Sequence, residues 1–198
     1  MATQSHGISL WLVPSIEADH HSTSPTERLS MLIGRLAHAN ETPVFAPHVT
    51  LHSRLPLETD ISSLVDTIRG VIGTGPAPSE LVFRDVREGG TVFQCVLAAI
   101  EPDKSLSGLH DRLRAALQPF GLGDQADYFP HLSLVYGDLT SAHKLAIVQE
   151  IMVQDETLAS DGTCRLCGMS SFALGELQVV RTASSDPSEW QCLARLAL

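Results

Sequence analysis

Two hydrophobic rhythms alternate along the chain, one of period two and one near 3.6. The stretch GISLWLVP reads as a strand stopped by Pro14. Ser24-Pro25 marks a helix start, and Leu29, Leu32, Ile33 and Leu36 then share one helical face. VFAPHVTLHSRL returns to strand. TDISSLVDTIRGVI predicts a second helix, capped by Thr59 or Asp60, and GTGPAPS a turn or short linker. ELVFRDVREGGTVFQCVLAAI predicts two strands joined at Gly89-Gly90 as a hairpin. A third helix follows, with Leu106, Leu109, Leu113 and Leu117 on its apolar stripe. FPHLSLVYG is a strand, TSAHKLAIVQEIM a helix with Thr140 or Ser141 as N-cap, and CRLCGMSSFALGEL and WQCLARLAL are closing strands. The predicted fold class is α+β. One domain, residues 1–198, is built from two interleaved, pseudo-symmetric lobes. Each lobe is a mainly antiparallel sheet with outer helices, and a cleft lies between them.

Two of the predicted strands carry the same word. Pro47-His48-Val49-Thr50-Leu51 and Pro130-His131-Leu132-Ser133-Leu134 both read proline, histidine, aliphatic, hydroxyl, leucine. Side chains alternate across a strand, so His48 and Thr50 project from one face and Val49 and Leu51 from the other. His131 and Ser133 repeat the arrangement. A single strand histidine is usually structural. The repetition of the whole word argues for two matching walls of one site. Two imidazoles and two hydroxyls suit the opening of a cyclic phosphate. One neutral histidine takes a proton from water, and one protonated histidine gives a proton to the departing oxygen. The hydroxyls donate to the phosphate oxygens. This chemistry needs no cofactor and no metal. Which histidine is base and which is acid stays open; Tyr136, on the second strand, leans the choice weakly to His131 as base.

Charge narrows the partners. The chain has 13 Lys and Arg against 23 Asp and Glu, for a net charge of −10, and its bases are scattered. A basic face for long nucleic acid is missing, so a small-molecule substrate is expected. Hydrophobic residues make up 43%, ample for a folded core. No stretch approaches the roughly 18 apolar residues of a spanning helix. No signal-peptide pattern opens the chain, so cytoplasmic placement is the default, as a monomer.

The paired HxT and HxS motifs resemble those of the 2H phosphoesterase superfamily. SLWLVP, FAPHVTL, VFQCVL, FPHLSLVYG and WQCLARLAL are similar, in that order, to the plant and fungal cyclic phosphodiesterases. The resemblance implies a bilobal fold with the site between the lobes. It implies hydrolysis of ADP-ribose 1'',2''-cyclic phosphate to ADP-ribose 1''-phosphate, downstream of tRNA splicing, and of nucleoside 2',3'-cyclic phosphates to 2'-phosphates. It makes His48 and His131 the catalytic pair and Thr50 and Ser133 the phosphate clamps. It places Tyr136 near the phosphate and Trp11 against the nucleobase, with core packing an equal reading for Trp11. Fungal relatives imply a Golgi association. The plant branch carries disulfides; Cys192 falls near one of its cysteines, with no partner at the matching place.

Other residues are set aside. His52 is expected on the same strand face as His48 and Thr50, but its counterpart is Val135, so it falls outside the repeat. His20-His21 read as a solvated loop. Cys164 and Cys167 form one CxxC in a predicted strand, with too few ligands for zinc. Two competing functions are a 2H protein acting on RNA ends and a non-catalytic nucleotide-binding module. The acidic balance weighs against the first. The acid–base pair, idle in a pure binder, weighs against the second.

Overall fold

A computed structural model describes residues 7–17, 23–123, 127–154 and 162–198. His20-His21 lie outside the described residues. The chain runs β1 (Gly7–Pro14), α1 (Pro25–Ala39), β2 (Val49–Leu55), α2 (Ile61–Ile72), β3 (Glu80–Glu88), β4 (Val96–Ile100), α3 (Lys104–Leu117), β5 (His131–Val135), α4 (Ser141–Gln154), β6 (Ser171–Thr182) and β7 (Gln191–Ala197). The α+β class follows from this order. Local chemistry sets the helix starts. The Ser24 hydroxyl accepts from the Glu27 N–H at 3.2 Å while the Glu27 carboxylate accepts from the Ser24 N–H at 2.9 Å. Asp60, not Thr59, caps α2 by accepting from the Ser63 N–H. Thr140 accepts from the His143 N–H before α4.

The strands form one antiparallel sheet of seven in the order β1-β2-β5-β4-β3-β6-β7, and β1 also pairs with β6. The two predicted half-sheets are therefore fused. β6 belongs to both: Ser171–Ala173 pair with β3, and Leu174–Thr182 pair with β1. At the other seam β2 meets β5 through one pair, Val49 opposite Leu132. The helices cross over between halves. α3 packs behind β2, whereas α1 packs against β5 as well as β1. Their leucine stripes are fully buried, as the 3.6 periodicity requires: Leu29, Leu36, Leu106, Leu109, Leu113 and Leu117 have no exposed surface.

Three predicted features are corrected. The CxxC is not in a strand: Leu166 and Met169 exchange hydrogen bonds across a tight turn, with Cys167 and Gly168 at φ 53° and 74°. The strand that follows begins at Ser171 and runs on to Thr182. β3 and β4 form the predicted antiparallel hairpin, but its connection is longer than Gly89-Gly90. Residues 89–95 form a loop containing a 3₁₀ turn, Val92–Gln94. Gly89 is required there, because a Cβ would lie 1.8 Å from the Gln94 carbonyl oxygen.

The third correction concerns β2. Trp11 stands opposite Thr50, but the next β1 residue, Leu10, stands opposite His52, so β2 carries an extra residue. A second irregularity follows before Ile8 meets Leu55, with Arg54 at φ 65°. Gly7 fits this crowding, since its Cβ would lie 2.6 Å from the Leu55 carbonyl oxygen. A bulge reverses the alternation of faces. His52 therefore turns away from His48 and Thr50 and packs behind the sheet. It stacks on the His110 ring of α3 at 4.4 Å and donates from Nε2 to the His110 carbonyl at 3.0 Å.

Candidate active site

The proline-histidine words end up facing each other because of the β2–β5 seam. In an antiparallel ladder with Val49 opposite Leu132, His48 falls across from Ser133 and Thr50 across from His131. Val49 and Leu132 are buried behind the seam, and the four polar side chains line one cavity of about 610 Å³. Trp11 and Tyr136 line it too, so all six sequence-predicted site residues are brought together.

Each histidine is held in the same way. His48 Nδ1–H donates to the Ala46 carbonyl at 2.7 Å, and His131 Nδ1–H donates to the Phe129 carbonyl at 2.8 Å. In both, the acceptor is the residue before the proline. The proline keeps its predecessor extended, which aims that carbonyl back at the ring. With Nδ1 committed as donor, Nε2 is the nitrogen of each ring able to exchange a proton. An aromatic ring backs each imidazole. Trp11 stacks on His48 with centroids 3.7 Å apart and planes at 14°. Phe129 stacks on His131 at 5.4 Å and 16°, and the Arg87 guanidinium covers the Phe129 ring at 4.6 Å.

Burial sets the proton affinities. It pushes the His48 imidazole down from 6.5 to about 4; the Ala46 carbonyl opposes this and His131 adds a smaller repulsion. His131 is also held below its ordinary value, chiefly by burial, with the Phe129 carbonyl opposing and Arg87 reinforcing. Both rings are therefore neutral at neutral pH. The Tyr136 phenol, raised by burial, stays protonated and donates to His48 Nε2 at 3.3 Å. Tyr136 thus serves the first histidine, although it directly follows the second histidine's strand. The reason for preferring His131 as base falls away with that contact.

Several wall residues carried no readable sequence signal. The loop after β3 contributes Thr91 to Gln94, held down by the Ser133 hydroxyl donating to the Phe93 carbonyl at 2.9 Å. Trp190, half-buried before β7, meets Trp11, Phe93 and Tyr136 edge-on or tilted, and its indole N–H donates to the Ser184 carbonyl at 2.7 Å. Ser53 and Arg54 reach the cavity because the bulge in β2 turns them inward. An aromatic near the end of the last loop could have hinted at Trp190; nothing in sequence signals a bulge.

The lining has a distinct electrical character. Among the described residues that line it there is no Asp or Glu, although the chain carries 23 of them. The lining residues carry eight hydroxyls, two imidazoles and one guanidinium. Such a surface suits an anion with many oxygens and sets no trap for a cation. No three His, Cys, Asp or Glu side chains are grouped as metal ligands among the described residues. The thiols stand apart from the cavity. Cys95, Cys164 and Cys192 are unbridged, and the Cys167 thiol donates to the Arg28 carbonyl.

Comparison with known proteins agrees in one direction. A family model described as cyclic phosphodiesterase-like protein matches residues 6–198. A cyclic phosphodiesterase of Arabidopsis thaliana is 27% identical over 195 residues, covering 94% of this chain and 92% of that protein. A crystal structure of a phosphoesterase superposes with a TM-score of 0.58 at 17% identity, covering 98% of each chain. Escherichia coli LigT complexed with NADP+ superposes with a TM-score of 0.56 at 14% identity, covering 99% of each chain.

Proposed function

The chain belongs to the cyclic phosphodiesterase-like family of 2H phosphoesterases, and from that premise we propose that it hydrolyses small cyclic phosphates by two-histidine acid–base catalysis. The observation that carries this reading is the matched pair of histidines. Each has Nδ1 fixed by the carbonyl two residues earlier, which makes Nε2 the proton-exchanging nitrogen in one shared cavity; on His48 it accepts from the Tyr136 hydroxyl.

The chemistry follows from that pair. A 2',3'-cyclic phosphate enters with its phosphate between the two words. Thr50 and Ser133 hydroxyls lie beside the non-bridging oxygens, where charge grows in the transition state. One Nε2 removes a proton from water as the water oxygen bonds to phosphorus. The P–O3' bond breaks, and the other Nε2 delivers a proton to O3'. The products are a 2'-phosphate and a free 3' hydroxyl. The acid must be an imidazolium when it acts, yet burial by itself keeps both rings neutral. The substrate's negative charge supplies the correction, because an adjacent anion raises an imidazole pKa.

The aromatic wall of Trp11, Phe93 and Trp190 supports a nucleoside substrate, since a base stacks on any ring of that kind. Trp11 gives one face to His48, so the half-buried Trp190 is the more accessible surface. The substrates we favour are ADP-ribose 1'',2''-cyclic phosphate, opened to the 1''-phosphate, and nucleoside 2',3'-cyclic phosphates, opened to 2'-phosphates. The deciding experiment incubates the purified protein with both substrate types and identifies products by phosphorus NMR. A 2'-phosphate product from the nucleotide is expected. Exclusive 3'-phosphate, or no turnover of either compound, would overturn the reading.

A further inference from the structure

We infer that the cavity selects cyclic phosphates bearing a second phosphoryl group, and that Arg54 is the residue that selects them. The inference rests on the cyclic-phosphate reading above and extends it to the far end of the same cavity. Arg54 is the only arginine or lysine among the described lining residues, in a chain of net charge −10. No carboxylate pairs with it among the described residues, and none lines the wall around it. Its backbone sits at φ 65°, a conformation that side-chain-bearing residues rarely adopt. The bulged β2 imposes that conformation, and the same bulging brings Ser53 and Arg54 to the cavity.

The ladder fixes where this cation stands relative to the chemistry. Trp11 is opposite Thr50, while Arg54 lies beside the Ile8–Leu10 stretch of β1. At about 3.3 Å per residue, that is on the order of 7–10 Å along β1 from the catalytic end. A phosphoryl group on the opposite side of the substrate's sugar falls in that range. Two nearby hydroxyls are already engaged with protein groups. Ser9 and Thr182 share a 3.1 Å hydrogen bond, and Thr182 donates onward to the Gly7 carbonyl. A charged, forked donor beside a phosphate gives a strong, salt-sensitive contact.

The test compares kcat/KM for adenosine 2',3'-cyclic phosphate with a 5' hydroxyl against the same compound with a 5'-phosphate. Wild type should favour the 5'-phosphorylated compound at least about tenfold, mainly through KM. Arg54→Asn tolerates the left-handed backbone and should bring the ratio near one. Arg54→Lys should retain part of the preference. Thermal melting checks that each variant is folded, and Arg54→Gly repeats the test if Asn is not tolerated. A wild type without preference, or a preference that survives Arg54→Asn, would overturn the role of Arg54 while leaving the cyclic-phosphate reading intact. Absence of turnover on both compounds would overturn both.

Discussion

Val49 stands opposite Leu132 in the one ladder pair that joins β2 to β5, and this pair brings the two halves of the site together. Each histidine thereby faces the hydroxyl of the other word. His48→Ala and His131→Ala should each lower kcat on a 2',3'-cyclic nucleotide by at least about 10²-fold, because each removes a proton-transfer group. The double variant should lose far less than the product of the two losses, since the pair acts as a unit. Rates near wild type in either single variant would sink the assignment.

Thr50→Ala and Ser133→Ala probe the phosphate contacts. Each should cost roughly 10–10³-fold in kcat/KM, with the pH profile unmoved. Ser133 differs from Thr50, because its single hydroxyl proton is donated to the Phe93 carbonyl and must turn to the phosphate when substrate binds. Ser133→Ala should therefore loosen the 89–95 loop, visible as faster amide exchange there, and Thr50→Ala should not.

Chelation gives a separate check on the proposed mechanism. Activity should be unchanged after exhaustive EDTA treatment. Loss on chelation with recovery on adding a divalent ion would show that the two histidines do not act alone.

The pH response follows from burial. His48 and His52 are each pushed from 6.5 to about 4, so each is neutral in the folded chain and protonates more readily unfolded. Their contribution is fully present above about pH 6.5 and is lost as pH falls toward 4, on the order of 3 kcal/mol for each. Thermal melting between pH 7 and 4 should show this decline. In catalysis, the profile of kcat should lie at higher pH than that of kcat/KM, because bound phosphate raises the histidines' proton affinity.

His52→Ala separates structure from chemistry. The change removes the side-chain donor to the His110 carbonyl, which keeps its helical partner, and opens the buried ring stack behind β2, costing about 1–3 kcal/mol. The melting temperature should drop while the pH dependence of kcat keeps its shape. A displaced profile would place His52 in the cavity after all.

The sequence by itself determined the elements and the chemistry. Period and caps gave the helices with their buried leucine stripes, and the repeated word named His48, Thr50, His131 and Ser133. Those features are local, set by residues a few positions apart. Tertiary structure decided what depends on distant pairing. It fused the half-sheets through β6 and set the β2–β5 register at Val49 and Leu132. The bulges in β2 sent His52 behind the sheet and brought Arg54 to the cavity. Tyr136 came to rest on His48 rather than on the histidine of the strand it follows. A two-residue periodicity assigns faces only while the ladder stays regular, and the insertion that reverses it arises from pairing with β1, which no local pattern records.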